Sequence, residues 1–274
     1  MEVYQHFGMT GPPFSVSPDP RFAYETREHR LALVKIAYSV TERRGLFLLQ
    51  GDIGTGKTTL SRFLMHGWSS DPAYIIASVN SPSTRSQAGF MREVMEAFGI
   101  PTTRNLAALN KLLLEFLVES HQQGKTVVLL LDEAQVIAPT NLDLLHAISN
   151  FQTLSEQLMQ IVLLAQPNIV HKLEQRPALR SRISGGTYLG PLSFQDAVEM
   201  LRHRVSVSGG DFETLFAPET HKPIYNATQG ICRDLCIIAD AALVSAFAAG
   251  SKQVDSAAVA DAINDMRFKG WQIK

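Results

Sequence analysis

The chain has 274 residues, 45% of them hydrophobic and 19% charged, with 25 Lys+Arg against 26 Asp+Glu for a formal net charge of -1. That length suits one large domain with a smaller one appended and buries a substantial core, and the composition excludes extended disorder. The near-neutral balance excludes a polycation held on nucleic acid by bulk attraction, so any such contact needs a local patch.

The N-terminus lacks a basic start followed by an apolar run, so no signal peptide is expected and a cytoplasmic location is implied. No apolar stretch has the about 20 residues needed to span a bilayer, so no membrane anchor is expected. Residues 1–27, rich in Pro, Gly and aromatics (GPPFSVSPDPRFAY), are expected to form an extended arm rather than a helix. Helical spacing follows over 28–41 (Leu31, Val34, Ile36, Tyr38), Gly45 stops it, and the run 46–49 reads as a buried strand.

The alternation then recurs. Strands are expected at 74–79, 127–131, 161–165 and a short 188–189, with helices at 58–68, 87–98, 106–121, 142–157 and 169–173, and Pro101, Pro139 and Pro167 between elements. This predicts an α/β fold with a five-stranded parallel sheet over residues 28–190. After Gly190 only helical patterns remain, at 194–207, 231–248 and 256–266, so residues 191–274 are expected to be a helical lid entered through a Ser193 cap. Cys232 and Cys236 lie one helical turn apart without a further Cys/His pair, and read as reduced core thiols rather than a zinc site.

Five places in the chain carry chemistry. GDIGTGKTT, from Gly51 through Asp52, Ile53, Gly54, Thr55, Gly56, Lys57 and Thr58 to Thr59, follows a strand and opens a helix. Glycines there let backbone amides point at phosphates, Lys57 would reach the β/γ-phosphates of ATP, and Thr58 would ligate Mg2+. VVLLLDE ends a strand in two carboxylates: Asp132 is the expected Mg2+ partner and Glu133 the general base for the attacking water. A strand ending in solvated acids is the rival reading for that segment taken alone. Gln166, directly after the strand 161–165, stands where a γ-phosphate or water sensor would sit. Arg176, Arg180 and Arg182 precede the last strand; Arg180 and Arg182 are the preferred candidates for neutralising transition-state charge in a neighbouring subunit. Arg233 on the lid is a candidate γ-phosphate sensor in cis, with an ordinary surface salt bridge as its rival.

The arm FGMTGPPFSVSPDPRFAYETREHRLAL together with GDIGTGKTT, LLLDEAQ, LLAQP, LRSRI and LGPLSFQDAVEMLRHRV resembles the ExeA/GspA-type ATPases of the AAA+ superfamily. Within it the chain is similar to the phage Mu B protein and the TnsC-type target-selection ATPases. The resemblance implies a magnesium-dependent ATP hydrolase with ATP between subunits, rings or helical filaments of the chain itself, and Tyr24 and His29 near the adenine. It departs at the lid, where Gly230, Ile231, Cys232, Arg233 and Cys236 stand in place of the usual Gly, any residue, Pro, Arg and later Asn. Secretion members carry a membrane helix and a peptidoglycan-binding region after the ATPase. The chain ending at Lys274 therefore points to a regulator of transposition that selects target sites on double-stranded DNA, with a transposase and a target-site adaptor as partners and no membrane. By the same resemblance, Thr84, Arg85, Thr103 and Arg104 are the expected DNA-phosphate contacts, against the rival that SPSTRSQ and PTTRN are ordinary capped helix starts. The alternative function is a cytoplasmic ATPase of a secretion or pilus-assembly system; a third reading is a nucleotide switch with slow hydrolysis, in which ATP binding assembles the protein and turnover releases it, using the same residues as the transposition reading.

Overall fold

The computed structural model describes residues 2–16 and 19–268. In chain order the helices are α1 (Glu2–His6), α2 (Arg27–Thr41), α3 (Lys57–Ser69), α4 (Gln87–Ala97), α5 (Leu106–Gln122), α6 (Pro139–Ile148), α7 (Ile169–Glu174), α8 (Pro177–Arg180), α9 (Phe194–Val207), α10 (Phe212–Leu215), α11 (Pro218–Thr228), α12 (Cys232–Ala248) and α13 (Ser256–Phe268). The strands are β1 (Leu46–Gly51), β2 (Tyr74–Asn80), β3 (Thr126–Asp132), β4 (Met159–Ala165) and β5 (Ile183–Leu189). The chain divides into two units, one of residues 1–26, 53–59 and 190–274, the other of residues 27–52 and 60–189.

The second unit is a five-stranded sheet in the order β2-β3-β4-β1-β5, parallel at every pairing. Successive side chains of a strand face opposite sides. Leu46 and Leu48, Leu129 and Leu131, and Ile161 and Leu163 meet the helices α4, α5 and α6 on one face. Phe47 and Leu49, Val128 and Leu130, and Val162 and Leu164 meet α2 and α3 on the other. Both faces being covered explains why β1, β3 and β4 are near-continuous apolar runs.

The first unit is helical. α9, α11, α12 and α13 enclose a core into which Met9 and Phe14 of the N-terminal segment insert. Tyr4 Oη donates to Asp240 Oδ1 at 3.0 Å, and Arg204 donates to the Ser15 carbonyl at 3.1 Å. Ser193 caps α9, accepting from the Asp196 amide. Among the described residues no helix is long and apolar enough to cross a membrane.

The structure corrects several boundaries. Residues 2–6 are helical rather than extended: Gly8 takes φ +74°, and the amides of Gly8 and Met9 return to the carbonyls of Gln5 and Tyr4, a left-handed helix stop that glycine supplies. The expected helix 142–157 starts earlier, with Pro139 in its first turn, and ends at Ile148, because Thr153 Oγ1 accepts the amides of Ser155 and Glu156 and competes with helix continuation. The last strand extends back to Ile183, and α8, α10 and α11 were unanticipated.

Candidate functional site

β1 ends at Gly51, and the loop that follows turns through Gly54 at φ +82° and Gly56 at φ +99°, left-handed values that side chains avoid. A Cβ on Gly54 would lie 2.9 Å from both Arg233 Cβ and Ile231 Cγ2. The loop is tied by backbone to the start of α12: the Arg233 amide donates to the Gly54 carbonyl at 3.1 Å, and the Cys232 thiol approaches the Thr55 carbonyl at 3.9 Å. Burial pushes the Cys232 thiol up to about 12 and raises Cys236 as well. Thr55 and Lys57 are 1% and 5% exposed, and Lys57 opens α3 with Thr58 and Thr59 in its first turn. That helix start contributes amides and positive potential suited to an anion. Arg233 presents its side chain outward and Ile53 is exposed.

Two residues from the ends of β1 and β5 form a separate contact. Tyr188 Oη donates to Asp52 Oδ2 at 2.7 Å, and that hydrogen bond pushes the phenol above its ordinary value.

A second polar cluster stands at the carboxyl ends of β3 and β4, where sheets of this class place their ligands. Asp132, the last residue of β3, is 4% exposed, and its Oδ1 accepts the Glu133 amide at 2.9 Å. Glu133 takes a left-handed backbone at φ 54° and ψ 38°, unusual for a residue with a side chain. Glu133 Oε2 accepts from Gln166 Nε2 at 3.2 Å and, closely, from Gln135 Nε2. Gln135 Oε1 in turn accepts the Gln166 amide at 3.0 Å, and the Gln135 carbonyl accepts from Lys172 Nζ.

The expected residues fall into distinct groups. Gly54 and Thr55 meet the α12 start that bears Arg233, whereas Glu133 and Gln166 meet each other through one carboxylate oxygen. Arg176 is committed to Asp143 at 3.0 Å and to the Pro139 carbonyl. Arg180 is exposed at the end of α8 and lines an open groove of about 580 Å³ beside β5; Arg182 is half-buried. Tyr24 and His29 are half-buried and belong to different units, with the Tyr24 ring 6.0 Å from that of His203. Arg85 and Arg104 are exposed directly before the capping residues Ser86 and Asn105. The Thr84 hydroxyl donates to Glu93 at 3.1 Å, and Thr103 is half-buried. Sequence reading missed Gln135, Lys172 and Tyr188. The DEAQ tetrapeptide held the first of these in plain view beside Glu133, but only the lateral pairing of β3 with β4 brings it to Gln166.

The AAA domain family matches residues 40–173. General secretion pathway protein A of Aeromonas hydrophila is 34% identical over 98% of this chain and 50% of its own length. The chain thus spans about half the length of the curated relative it matches. Among solved structures, Cdc6p of Pyrobaculum aerophilum superposes with a TM-score of 0.72 at 18% identity, covering 92% of this chain and 70% of that one. The ADPNP-ADP complexes of Aeropyrum pernix ORC2 reach 0.68 at 17%, covering 92% and 71%, and Drosophila ORC bound to DNA reaches 0.70 at 21%, covering 97% and 66%. This is the AAA P-loop fold. At those identities the solved structures speak for architecture, and the resemblance to ExeA/GspA-type proteins rests on the Aeromonas relative. The AAA sheet accounts for the placement of both clusters, since the glycine loop leaves β1 and the two carboxylates end β3.

Proposed function

We propose that the chain is a magnesium-dependent ATP hydrolase of the ExeA/GspA type, acting as an oligomeric energy module of a secretion or pilus-assembly system on the cytoplasmic side. The observation that carries the hydrolytic part is Glu133, a carboxylate held in a left-handed backbone at the end of β3 by two amide donors. The identity with the Aeromonas relative along 98% of the chain supports the secretion role over target-site selection. Because the match covers half of that relative, its substrates and partners belong to this proposal.

In this reading the amides of residues 51–58 and the Lys57 ammonium bind the phosphates, and Tyr24 and His29 flank the base. Glu133 takes the proton of the attacking water while Gln166 senses the γ-phosphate, and Arg180 and Arg182 serve a neighbouring subunit. The donors proposed for Mg2+ are the Thr58 hydroxyl and the Asp132 carboxylate, hard oxygens of the kind that ion accepts in ones and twos. Asp132 Oδ1 is already oriented by the Glu133 amide, which fits that role. When bound, Mg2+ would neutralise phosphate charge. Turnover and nucleotide binding measured on variants test this: Lys57→Ala should lose both, and Glu133→Gln should keep binding while turnover falls about 100-fold or more. Wild-type turnover in Glu133→Gln would overturn the assignment of the base.

A second reading, nucleotide-dependent loading on double-stranded DNA in transposition, draws on Arg85 and Arg104, exposed before the capped starts of α4 and α5. Filter binding with a slowly hydrolysed ATP analogue decides it. Arg85→Ala with Arg104→Ala should weaken binding on every sequence and flatten its salt dependence, and absence of nucleotide-dependent binding eliminates the reading.

A further inference from the structure

We propose that Gln135 is the positioning residue of the hydrolytic carboxylate, clamping one oxygen of Glu133 so that the other takes the proton; this rests on Glu133 being the base.

The orientation of the Gln135 amide is set by chemistry. Its Oε1 lies 3.0 Å from the Gln166 amide nitrogen, a group that can only donate, and its nitrogen lies against Glu133 Oε2, a carboxylate oxygen that accepts. The reverse orientation would face donor with donor at one end and acceptor with acceptor at the other. The clamp is also anchored. Gln135 is 7% exposed, sits in the 3-10 turn Ala134–Val136, and its carbonyl, like that of Ile137, accepts from Lys172 Nζ. Gln135 therefore bridges the carboxylate to the backbone of the neighbouring strand end, which a flexible surface amide would not do.

Glu133 Oε2 thus receives both side-chain amides, from Gln135 and from Gln166, while Oε1 accepts none among the described residues. Oxygen already bonded to two donors is the poorer base, so the proton goes to Oε1. In the balanced step, water oxygen bonds to the γ-phosphorus as its proton passes to Oε1, and the bond from that phosphorus to the β-phosphate oxygen breaks. ADP and phosphate leave, and Glu133 returns the proton to phosphate or solvent. Gln135 touches none of the reacting atoms; it fixes where the base stands.

The experiment compares purified wild-type protein with Gln135→Met, of similar volume without donors, measuring ATP turnover and binding of a fluorescent ADP analogue. The expected result is a kcat about 10- to 100-fold lower with KM and ADP binding within about threefold. In a Glu133→Gln background, Gln135→Met should slow the residual rate no further, because a residue acting through Glu133 has nothing left to position. Unchanged kcat in Gln135→Met, or the same fold loss in both backgrounds, overturns the inference. If Gln135→Met fails to fold, Gln135→Asn, polar but too short to bridge both partners, is measured instead; loss of folding and ADP binding in both variants would make the role structural and also overturn it. Failure of the underlying reading is distinct: Glu133→Gln itself would then keep wild-type turnover.

Discussion

At the scale of single residues, two constraints converge on Gly54: a left-handed φ of +82° and two side-chain carbons 2.9 Å from where a Cβ would stand. The backbone term alone costs about 1–2 kcal/mol for an L-residue, and the carbons belong to the first turn of a packed helix and the residue before it. Gly54→Ala should therefore lower stability by at least that amount and weaken nucleotide binding by more than about tenfold, checked by denaturant unfolding and titration with an ADP analogue. Glu133 holds a similar backbone without being glycine, a strain of the kind that accumulates at functional positions. The two cysteines make the opposite case. With its thiol pushed up to about 12 by burial, Cys232 stays protonated at neutral pH and lacks the thiolate that reacts. Native protein at pH 8 should consume almost no thiol reagent, whereas two equivalents should react once it is unfolded in denaturant, reading the 2 cysteines of the chain.

At the scale of elements, caps and dockings carry the predictions. Ser193 accepts the Asp196 amide at 3.1 Å at the start of α9, so Ser193→Ala should cost about 1 kcal/mol, measured by the shift in the urea midpoint. α1 docks on α12 through Tyr4 and Asp240, and burial raises the Asp240 carboxyl above its ordinary value, partly opposed by the Tyr4 hydrogen bond. A raised carboxyl binds its proton more tightly when folded, so its contribution is most favourable below the unfolded pKa and declines as pH rises through the folded one. Asp240→Asn keeps an acceptor for Tyr4 and removes the charge; its unfolding free energy should depend less on pH across that window and match or exceed wild type at pH 7. Elements differed in how readable they were for physical reasons. β1, β3 and β4 announce themselves because burial on both faces demands unbroken apolar runs. β5 hides behind Gly185 and Gly186, residues depleted in strands and tolerated here at a sheet edge, where Gly185 packs on the Phe47 ring. α11 hides behind Pro218 and Pro223, the first harmless at a helix start and the second a residue that ordinarily ends one.

At the scale of the whole molecule, the parallel sheet and the two strand-end clusters were legible because the glycine loop and the carboxylate pair each follow an apolar run. The Gln135 clamp was not, since nothing in a linear text says that β4 lies beside β3. If Arg180 and Arg182 serve a neighbour, mixing two inactive proteins, Glu133→Gln and the double variant Arg180→Ala with Arg182→Ala, should restore part of the turnover. Some interfaces in the mixture would pair an intact base with intact arginines, and a mixture no more active than its parts would assign the arginines to their own subunit. The amide of Arg233 bonded to the Gly54 carbonyl adds a constraint of another kind. An alanine scan is blind to it, because every ordinary substitution keeps the peptide N–H; Arg233→Ala removes the guanidinium and leaves this backbone bond in place. Position 233 lies in the first turn of α12, where proline is accommodated, so Arg233→Pro is the one natural replacement that cuts that bond while sparing the helix. The difference between those two variants in binding of an ADP analogue would separate the contribution of the guanidinium from that of the main-chain bond.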